Sequence, residues 1–248
     1  MDGLLHRLRR LARSQARCQA RCQLCLATLE GDDVHPICPG CLLDLPWLAG
    51  HCRQCALPLP LPADGLLCGE CQRRPPAFDS ACMPWRYDFP LDALVTRFKH
   101  RADWPAGRLL AELFADHLRH TRQALPDLLL PVPLARARQR ARGFNQAQML
   151  ADWLGRSLRL KVEAGWLLRT QDTPAQQGLD AATRRRNLRR AFALAPRARP
   201  AGLHLALVDD VLTTGTTAHA LARLLKRAGA ARVDVYCLAR TPKPGSVP

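Results

Sequence analysis

The stretch Leu203–Gly229, LHLALVDDVLTTGTTAHALARLLKRAG, decides the fold of this 248-residue chain. It begins with an apolar, β-rich run over 203–208 that ends in two carboxylates, Asp209 and Asp210. A loop of small and hydroxyl-bearing residues follows over 213–217, and apolar residues then recur at helical spacing until the final glycine. The order strand, loop, helix puts the loop at the carboxyl end of a strand, where open α/β sheets bind ligands.

The loop after the carboxylates has the composition of an anion-binding site. It consists of Thr213, Thr214, Gly215, Thr216 and Thr217. A helix N-terminus offers unpaired N–H groups and the positive end of a dipole, and glycine lets an anion come close to the backbone. Charge-assisted hydrogen bonds are worth about 1.5–3 kcal/mol each, so three or four support the roughly 8 kcal/mol of micromolar binding. This loop is therefore predicted to hold a phosphate group.

The two carboxylates cannot face the same phosphate, because the charges would repel. We expect Asp209 and Asp210 to lie one sugar length away and to accept hydrogen bonds from vicinal hydroxyls. The stretch then predicts a site for a ribose 5-phosphate. The alternative is an ordinary strand-to-helix turn with solvated aspartates. The chain has no GxxxxGKS or GxxxxGKT loop, which excludes a P-loop nucleotide-binding protein.

The segment Leu207–Thr217, LVDDVLTTGTT, closely resembles the signature with which type I phosphoribosyltransferases bind phosphoribosyl pyrophosphate (PRPP). That signature is a hydrophobic strand, two acidic residues and a Thr/Gly loop. The resemblance implies an α/β chain with the type I phosphoribosyltransferase fold, a parallel sheet flanked by helices. It also implies that PRPP is bound together with Mg²⁺.

Cysteine spacing supplies a second strong signal. A C-x2-C-x12-C-x2-C pattern occurs twice, at an offset of 30 residues, in Cys22, Cys25, Cys38, Cys41, Cys52, Cys55, Cys68 and Cys71. Such spacing predicts a duplicated zinc ribbon with two structural zinc ions in closed tetrahedral sites. The alternative is one intact and one degenerate site. Spacing leaves open whether the pairs bind sequentially or interleave, and whether the module recognises a partner or only packs on the rest of the chain.

The chain is strongly basic, with 37 Lys and Arg against 21 Asp and Glu and a formal net charge of +16. This charge favours polyanionic partners such as nucleic acid, although the arginine bias of a GC-rich genome would also produce it. We find neither a signal-peptide region nor an apolar run of membrane-spanning length and expect a cytoplasmic protein. Residues 1–21 read as a basic helix that docks on the core or, alternatively, lies on a membrane.

The region between the cysteines and the phosphate loop alternates between strand and helix patterns. A short strand is expected over 81–87, helices over 91–100 and 106–123, and a strand over 127–134 that Pro131 and Pro133 interrupt. A helix should follow to residue 159, then a single strand over 162–169 and a last strand over 232–239. The domains are predicted as a basic helix (1–21), a double zinc ribbon (22–74), a phosphoribosyltransferase-like domain (75–242) and a tail (243–248).

Arginines follow the proline-interrupted strand in the stretch RARQRARGFNQA. They are Arg136, Arg138, Arg140 and Arg142. A guanidinium fork matches pairs of phosphate oxygens, so these side chains could hold a pyrophosphate or a nucleic acid backbone. The alternative is that these arginines form a solvent-exposed face and bind no ligand. A polar segment over 170–190 is long enough to be a functional lid or a disordered loop.

The combination of motifs is similar to the ComF family. Paired CxxC motifs precede PVPL-x-R-x3-R-x-RGFNQA, then Q-x2-L-x4-R-x2-N and VDDVLTTGTT. The resemblance implies PRPP-binding roles for Val208, Asp209, Asp210, Thr213, Thr214, Gly215, Thr216, Thr217, Pro131, Val132, Pro133 and Arg136. It implies catalytic roles for Asp209, Asp210, Arg140 and Arg142. The third motif, with Gln176, Arg184 and Asn187, corresponds to a loop that closes over PRPP.

The ComF family is named for competence proteins that help naturally transformable bacteria take up DNA. The resemblance therefore implies a PRPP-binding protein of DNA uptake, with pentosyl transfer to an unidentified acceptor. Its alternative is a catalytically silent factor that binds single-stranded DNA or proteins of the competence machinery. An acceptor site is not evident from the sequence. Trp85, Tyr87 and Phe89 could form a hood over a base, but a core or strand-face position suits them better.

Overall fold

The computed structural model describes residues 21–29, 35–60, 65–121, 124–170 and 191–243. All of the predicted N-terminal helix except its last residue lies outside these ranges, as do the predicted loop residues Gln176, Arg184 and Asn187 and most of the tail. Backbone contacts divide the chain into two compact units, one ending at Leu45 and the other beginning at Pro46. The division falls inside the predicted double ribbon, whose boundary at residue 74 stays a prediction.

The second unit is built on a parallel sheet. The strands of the described ranges are β1 (Ser80–Cys82), β2 (Trp85–Arg86), β3 (Leu128–Pro131), β4 (Lys161–Val162), β5 (Leu167–Arg169), β6 (Phe192–Leu194), β7 (His204–Leu212) and β8 (Arg232–Arg240). In the main sheet the order is β1-β8-β7-β3-β4, and β2 pairs with β8 further along that strand. Strands β5 and β6 form a separate antiparallel pair.

Helices cover both faces of this sheet. In the described ranges the helices of this second unit are α2 (Gly69–Arg73), α3 (Leu91–Arg101), α4 (Trp104–His120), α5 (Arg136–Arg142), α6 (Gln146–Leu158) and α7 (Thr216–Arg227), and the first unit contains α1 (Pro39–Leu43). Along β3, Leu128 and Leu130 pack in one apolar cluster with Leu221 of α7, while Leu129 lies beside Gly155 of α6. Since alternate residues of a strand face opposite sides, α6 and α7 lie on opposite faces.

The central strands align their carboxyl ends. Pro131, the last residue of β3, is in register with Val208 of β7, and Asp209 of β7 is in register with Cys237 of β8. The loops after β3 and β7 therefore emerge side by side at one edge, which is where a parallel sheet places its ligand. Strand β7 runs four residues beyond the apolar stretch that sequence predicted, so both carboxylates lie within the strand.

The described helices give no sign of a membrane-spanning segment. Among residues 21–29, 35–60, 65–121, 124–170 and 191–243, no helix is both long enough and apolar enough to cross a bilayer.

Candidate functional site

The threonine loop connects β7 to α7 and lines a small pocket. Gly215 is the N-cap of α7 in the left-handed conformation, with φ +71°, which a residue with a side chain rarely adopts. Gly215 has no side chain with which to cap this helix, and the N–H of Thr216 donates to Thr214 Oγ1 at 3.5 Å. The Oγ1 atoms of Thr214 and Thr216 are 2.9 Å apart. The first turn of α7 thus leaves N–H groups and hydroxyls available at the pocket that sequence predicted for a phosphate.

The two carboxylates of β7 are separated by the alternation of the strand. Asp209 lines the threonine pocket together with Val132 and residues 213–217. Asp210 is 5% exposed and forms an ion pair with Lys99 of α3, whose Nζ lies 2.9 Å from Oδ2. The structure therefore brings Asp209 to the loop and places Asp210 against a cation on the other face.

Asp209 is an unusually weak acid for an aspartate. Burial and then the neighbouring Asp210 carboxylate raise the pKa of Asp209 to about 7, against the backbone N–H of Asp210 and the charges of Lys99 and Arg142, which lower it. The N–H of Asp210 donates to Asp209 Oδ1 at 2.9 Å. Burial disfavours the ionised form of this carboxylate. A bound cation, or hydrogen-bond donors on a ligand, would stabilise that ionised form.

The loop after β3 is held against the same edge. The N–H of Val132 donates to the carbonyl of Val208 at 2.9 Å, and Asn145 Nδ2 donates to the carbonyl of Val132 at 3.1 Å. Asn145 also caps α6 through its Oδ1, which accepts from the N–H of Ala147 at 3.1 Å. The segment with Pro131 and Pro133 is thereby fixed beside Asp209, and Asn145 is a positioning residue.

The arginine-rich stretch forms the short helix α5. Arg138 and Arg142, four residues apart and so on one helix face, line a cleft of about 490 Å³ with Lys99 and Phe144. His100 and Arg101 from the end of α3 complete its basic lining. Arg136 and Arg140 do not line this cleft and are exposed. Their predicted roles towards pyrophosphate stay predictions.

The cysteines form two clusters, and each cluster combines two CxxC motifs that are consecutive in the sequence. Cys22, Cys25, Cys38 and Cys41 make up one cluster and Cys52, Cys55, Cys68 and Cys71 the other, with the Sγ atoms of each within 4.8 Å of one another. The Sγ atoms of Cys25 and Cys38 are 3.8 Å apart, and those of Cys55 and Cys68 are 3.7 Å apart. A tetrahedron with Zn–S bonds of about 2.3 Å has edges of about 3.8 Å. Each cluster could therefore hold one zinc ion.

Backbone N–H groups donate to sulfur atoms in both clusters and so stabilise the thiolate form of the cysteines. The N–H of Cys38 donates to Cys22 Sγ at 3.4 Å, and the N–H of Cys68 donates to Cys52 Sγ at 3.2 Å. Burial raises the pKa of Cys52, but the backbone donors outweigh it and lower the pKa to about 7. Left-handed residues recur at the same offset of 30, at Leu26 with φ 65° and Ala56 with φ 53°. The sequence duplication is thus a duplication of structure.

Lys99 is the polar contact of this site that sequence reasoning missed. It lies in a basic run at the end of α3, where cations are expected for the helix dipole alone. The sequence does not distinguish Arg138 from the neighbouring arginines. The structure does, because it shows which face of α5 lines the cleft. Of the aromatic residues considered for a hood, Trp85 is fully buried against Trp47, with ring centroids 5.4 Å apart, and Phe89 is 77% exposed.

Comparison with known proteins agrees with this architecture. Residues 169–248 match the phosphoribosyl transferase domain. Glutamine PRPP amidotransferase from B. subtilis is a similar solved structure, with a TM-score of 0.40 and 18% identity over 58% of this chain and 30% of that one. A purine phosphoribosyltransferase from Pyrococcus horikoshii has a TM-score of 0.35 and 17% identity over 56% of this chain and 75% of that one. The match to the phosphoribosyl transferase domain, together with the parallel sheet and its flanking helices, confirms the predicted phosphoribosyltransferase fold.

Two relatives in sequence match most of this chain. The DNA utilization protein YhgH of Salmonella typhimurium is 38% identical over 209 residues, which cover 83% of this chain and 90% of that protein. Competence protein F of Haemophilus influenzae is 34% identical over 209 residues, which cover 82% of this chain and 90% of that protein. With this identity over most of both chains, a parallel sheet carrying VDDVLTTGTT and two four-cysteine clusters, the chain belongs to the ComF family of competence and DNA utilization proteins.

Proposed function

We propose that this protein binds Mg·PRPP at the threonine pocket and acts in DNA uptake, with transfer of the phosphoribosyl group to an acceptor. The observation that carries the proposal is the placement of Asp209 in one pocket with the threonine loop and the N-terminus of α7. A helix N-terminus that can hold a phosphate and a carboxylate that can accept from a diol suit the two ends of a ribose 5-phosphate. The DNA-related role rests on the names of the relatives in sequence.

Each part of the site has a task in this proposal. The amides and hydroxyls of residues 213–217 hold the 5-phosphate, and Asp209 accepts hydrogen bonds from the ribose hydroxyls. Carboxylate oxygens suit Mg²⁺, so Asp209 and oxygens of the ligand would hold the ion, which neutralises charge on the pyrophosphate. Arg142 lies close enough to lower the pKa of Asp209 and supplies positive charge on the side from which pyrophosphate leaves. Catalysis is then positioning and charge stabilisation.

The direct test is calorimetry of the zinc-loaded full chain with Mg·PRPP, comparing Thr216→Asp with Thr216→Asn. Thr216 is the first residue of α7. We expect wild-type binding with micromolar affinity and a loss of at least about 100-fold in Thr216→Asp, because like charges in one site cost several kcal/mol. Thr216→Asn has nearly the same shape and should lose far less. An acidic residue in the first helical turn stabilises a helix, so the aspartate variant should not melt earlier.

The outcome against the proposal is equally plain. Wild-type protein that gives no heat and no thermal shift with Mg·PRPP does not use this pocket for PRPP. Binding that is equal in the aspartate and asparagine variants would place PRPP elsewhere. Transfer is tested separately by pyrophosphate release from PRPP in the presence of candidate acceptors.

A second candidate function, binding of single-stranded DNA, is favoured by the basic cleft. Five basic residues and one aromatic ring line it, and Phe144 belongs to an aromatic group, with its centroid 5.9 Å from that of Phe98 and 6.5 Å from that of Trp104. Channels for single strands combine positive charge along the backbone path with rings on which bases stack. Lys99 lines the cleft and pairs with Asp210, the residue after Asp209 in β7, so the cleft lies next to the strand that carries the threonine pocket.

We expect Arg138→Ala/Arg142→Ala to weaken binding of a fluorescent oligonucleotide by at least about tenfold and to reduce the salt dependence of the affinity. Each lost phosphate contact lowers the slope of log K against log salt by about 0.7 for single strands. Arg136→Ala/Arg140→Ala is the matched control, since it removes the same charge from the same helix outside the cleft. Equal losses in both double variants would mean that only the net charge of α5 matters.

A further inference from the structure

Arg240, at the end of β8, connects the second cysteine cluster to the threonine loop. The residue is 8% exposed. Its Nη1 donates to the carbonyls of Leu212 at 2.9 Å and Thr241 at 2.8 Å, and also to the carbonyl of Thr213. Its Nε donates to the carbonyl of Cys55 at 3.0 Å. One guanidinium therefore binds the backbone of a metal-site cysteine and the backbone that leads into the phosphate loop.

Further contacts join the same two regions. Gln54 Nε2 donates to the carbonyl of Phe78 at 3.3 Å, and a Cβ atom on Gly215 would lie 4.0 Å from the Phe78 ring. Phe78 is buried in one apolar cluster with Ala56, next to Cys55, and with Leu221 of α7. The turn between Cys52 and Leu57 is thus packed on the elements that carry the threonine loop.

The arginine also fixes the orientation of a peptide in the loop. The carbonyl of Thr213 and the N–H of Thr214 belong to one planar trans peptide and point in opposite directions. Holding that carbonyl on Arg240 therefore turns the Thr214 N–H away from Arg240. A shift of the guanidinium would break its hydrogen bonds to the carbonyls of Leu212, Thr213 and Cys55 together, so the loop and the Cys55 turn are linked through Arg240.

We propose that Arg240 couples the second metal site to the ligand pocket, so that zinc at Cys52, Cys55, Cys68 and Cys71 and Mg·PRPP at the threonine loop stabilise each other. Arg240 is a positioning residue in this scheme and touches neither the metal nor the ligand. The identity of the second ligand rests on the proposed function. Coupling between two sites is reciprocal, so each partner raises the affinity for the other by the same factor.

The reciprocal effect can be measured on the unmodified full chain. We expect Mg·PRPP to slow the removal of one of the two zinc equivalents by a chromogenic chelator by at least about fivefold, relative to Mg²⁺ alone. Amide exchange followed by mass spectrometry assigns the effect: protection should appear over 52–57 and not over 22–27. The first cluster, in the other compact unit, is the internal reference.

The role of the guanidinium is tested with Arg240→Gln and Arg240→Lys. The glutamine variant should bind Mg·PRPP about tenfold more weakly and lose the protection of zinc by PRPP, while lysine, which keeps the charge and three donors, should restore part of both. Arg53→Gln is the control, since Arg53 is an exposed arginine of the same turn. A merely structural arginine would lower the melting temperature without changing the effect of PRPP on zinc release.

The outcomes separate this inference from the proposed function. PRPP that binds normally in calorimetry while both zinc equivalents leave at unchanged rates would overturn the coupling and leave the ligand assignment standing. Retained protection of zinc in Arg240→Gln would show that the coupling does not run through Arg240 and would overturn the role given to this residue. An absence of PRPP binding in calorimetry overturns both proposals together.

Discussion

Replacing Lys99 with methionine should destabilise the protein by about 3–5 kcal/mol. The Nζ atom of Lys99 is 2.9 Å from Asp210 Oδ2, and the side chains of the pair are 22% and 7% exposed. Removing the lysine leaves a buried carboxylate without its cation. The free energy of unfolding, from urea titration at neutral pH, measures this loss.

The double variant Lys99→Met/Asp210→Asn separates the charge from the packing. Neutralising both partners removes the uncompensated charge, so we expect most of the lost stability to return. Arg108→Met is the matched control, because Arg108 pairs at 2.7 Å with Glu112 on an exposed surface and its loss should cost less than about 1 kcal/mol. If the double variant is as unstable as Lys99→Met, packing of the lysine stem and not charge pairing holds α3 to β7.

Local patterns were sufficient to predict the elements that form the pocket. The change from an apolar run to a Thr/Gly loop and then to helical spacing fixed β7, the loop and α7, because these features follow from neighbouring residues. The repeat of C-x2-C at a fixed distance predicted the cysteines of each cluster for the same reason. In both cases the chemistry lies within a short segment of chain.

Contacts between distant segments were beyond the reach of these patterns. Lys99 and Asp210 are separated by more than 100 residues, and nothing in the basic run at the end of α3 singles out one cation. Arg240 follows the last predicted strand, over 232–239, and nothing in the sequence marks it as a long-range contact, yet its Nε donates to the carbonyl of Cys55. The apolar character of 162–169 suggested one strand, but the chain turns after β4 and pairs β5 with β6 instead. Tertiary pairing decided each of these features.

The sequence predicted one shared role for Asp209 and Asp210, whereas the structure gives the two carboxylates different surroundings. Adjacent residues of a strand face opposite sides of the sheet, so the identical side chains of Asp209 and Asp210 lie in different environments. Asp210 has a lysine partner, whereas the pKa of Asp209 is raised to about 7 chiefly by burial and then by Asp210. Stability and ligand binding should therefore respond differently to the two aspartates.

Asp209→Asn should stabilise the ligand-free protein while abolishing Mg·PRPP binding. Because the folded-state pKa lies above the ordinary value of 3.8, the folded state holds the proton more tightly, and wild-type stability falls as pH rises from about 4 to about 7. The asparagine side chain does not ionise, so the stability of the variant should not fall with pH in this way. We expect its gain in free energy of unfolding over wild type to be about 1–3 kcal/mol larger at pH 8 than at pH 5, by urea titration at both values.

The same substitution should lower the affinity for Mg·PRPP by at least about 100-fold at pH 8, since the amide cannot replace an ionised carboxylate towards a cation. Wild-type affinity should itself rise between pH 6 and pH 8 as Asp209 loses its proton, and this rise should be absent in the variant. Asp152→Asn is the control, a carboxylate of α6 that accepts from Gln148 at 2.8 Å outside the pocket. A variant that is less stable than wild type at pH 8 would mean that the Asp209 carboxylate supports the fold. That result would contradict the idea that the ionised carboxylate destabilises the ligand-free protein and that a bound ligand offsets this cost.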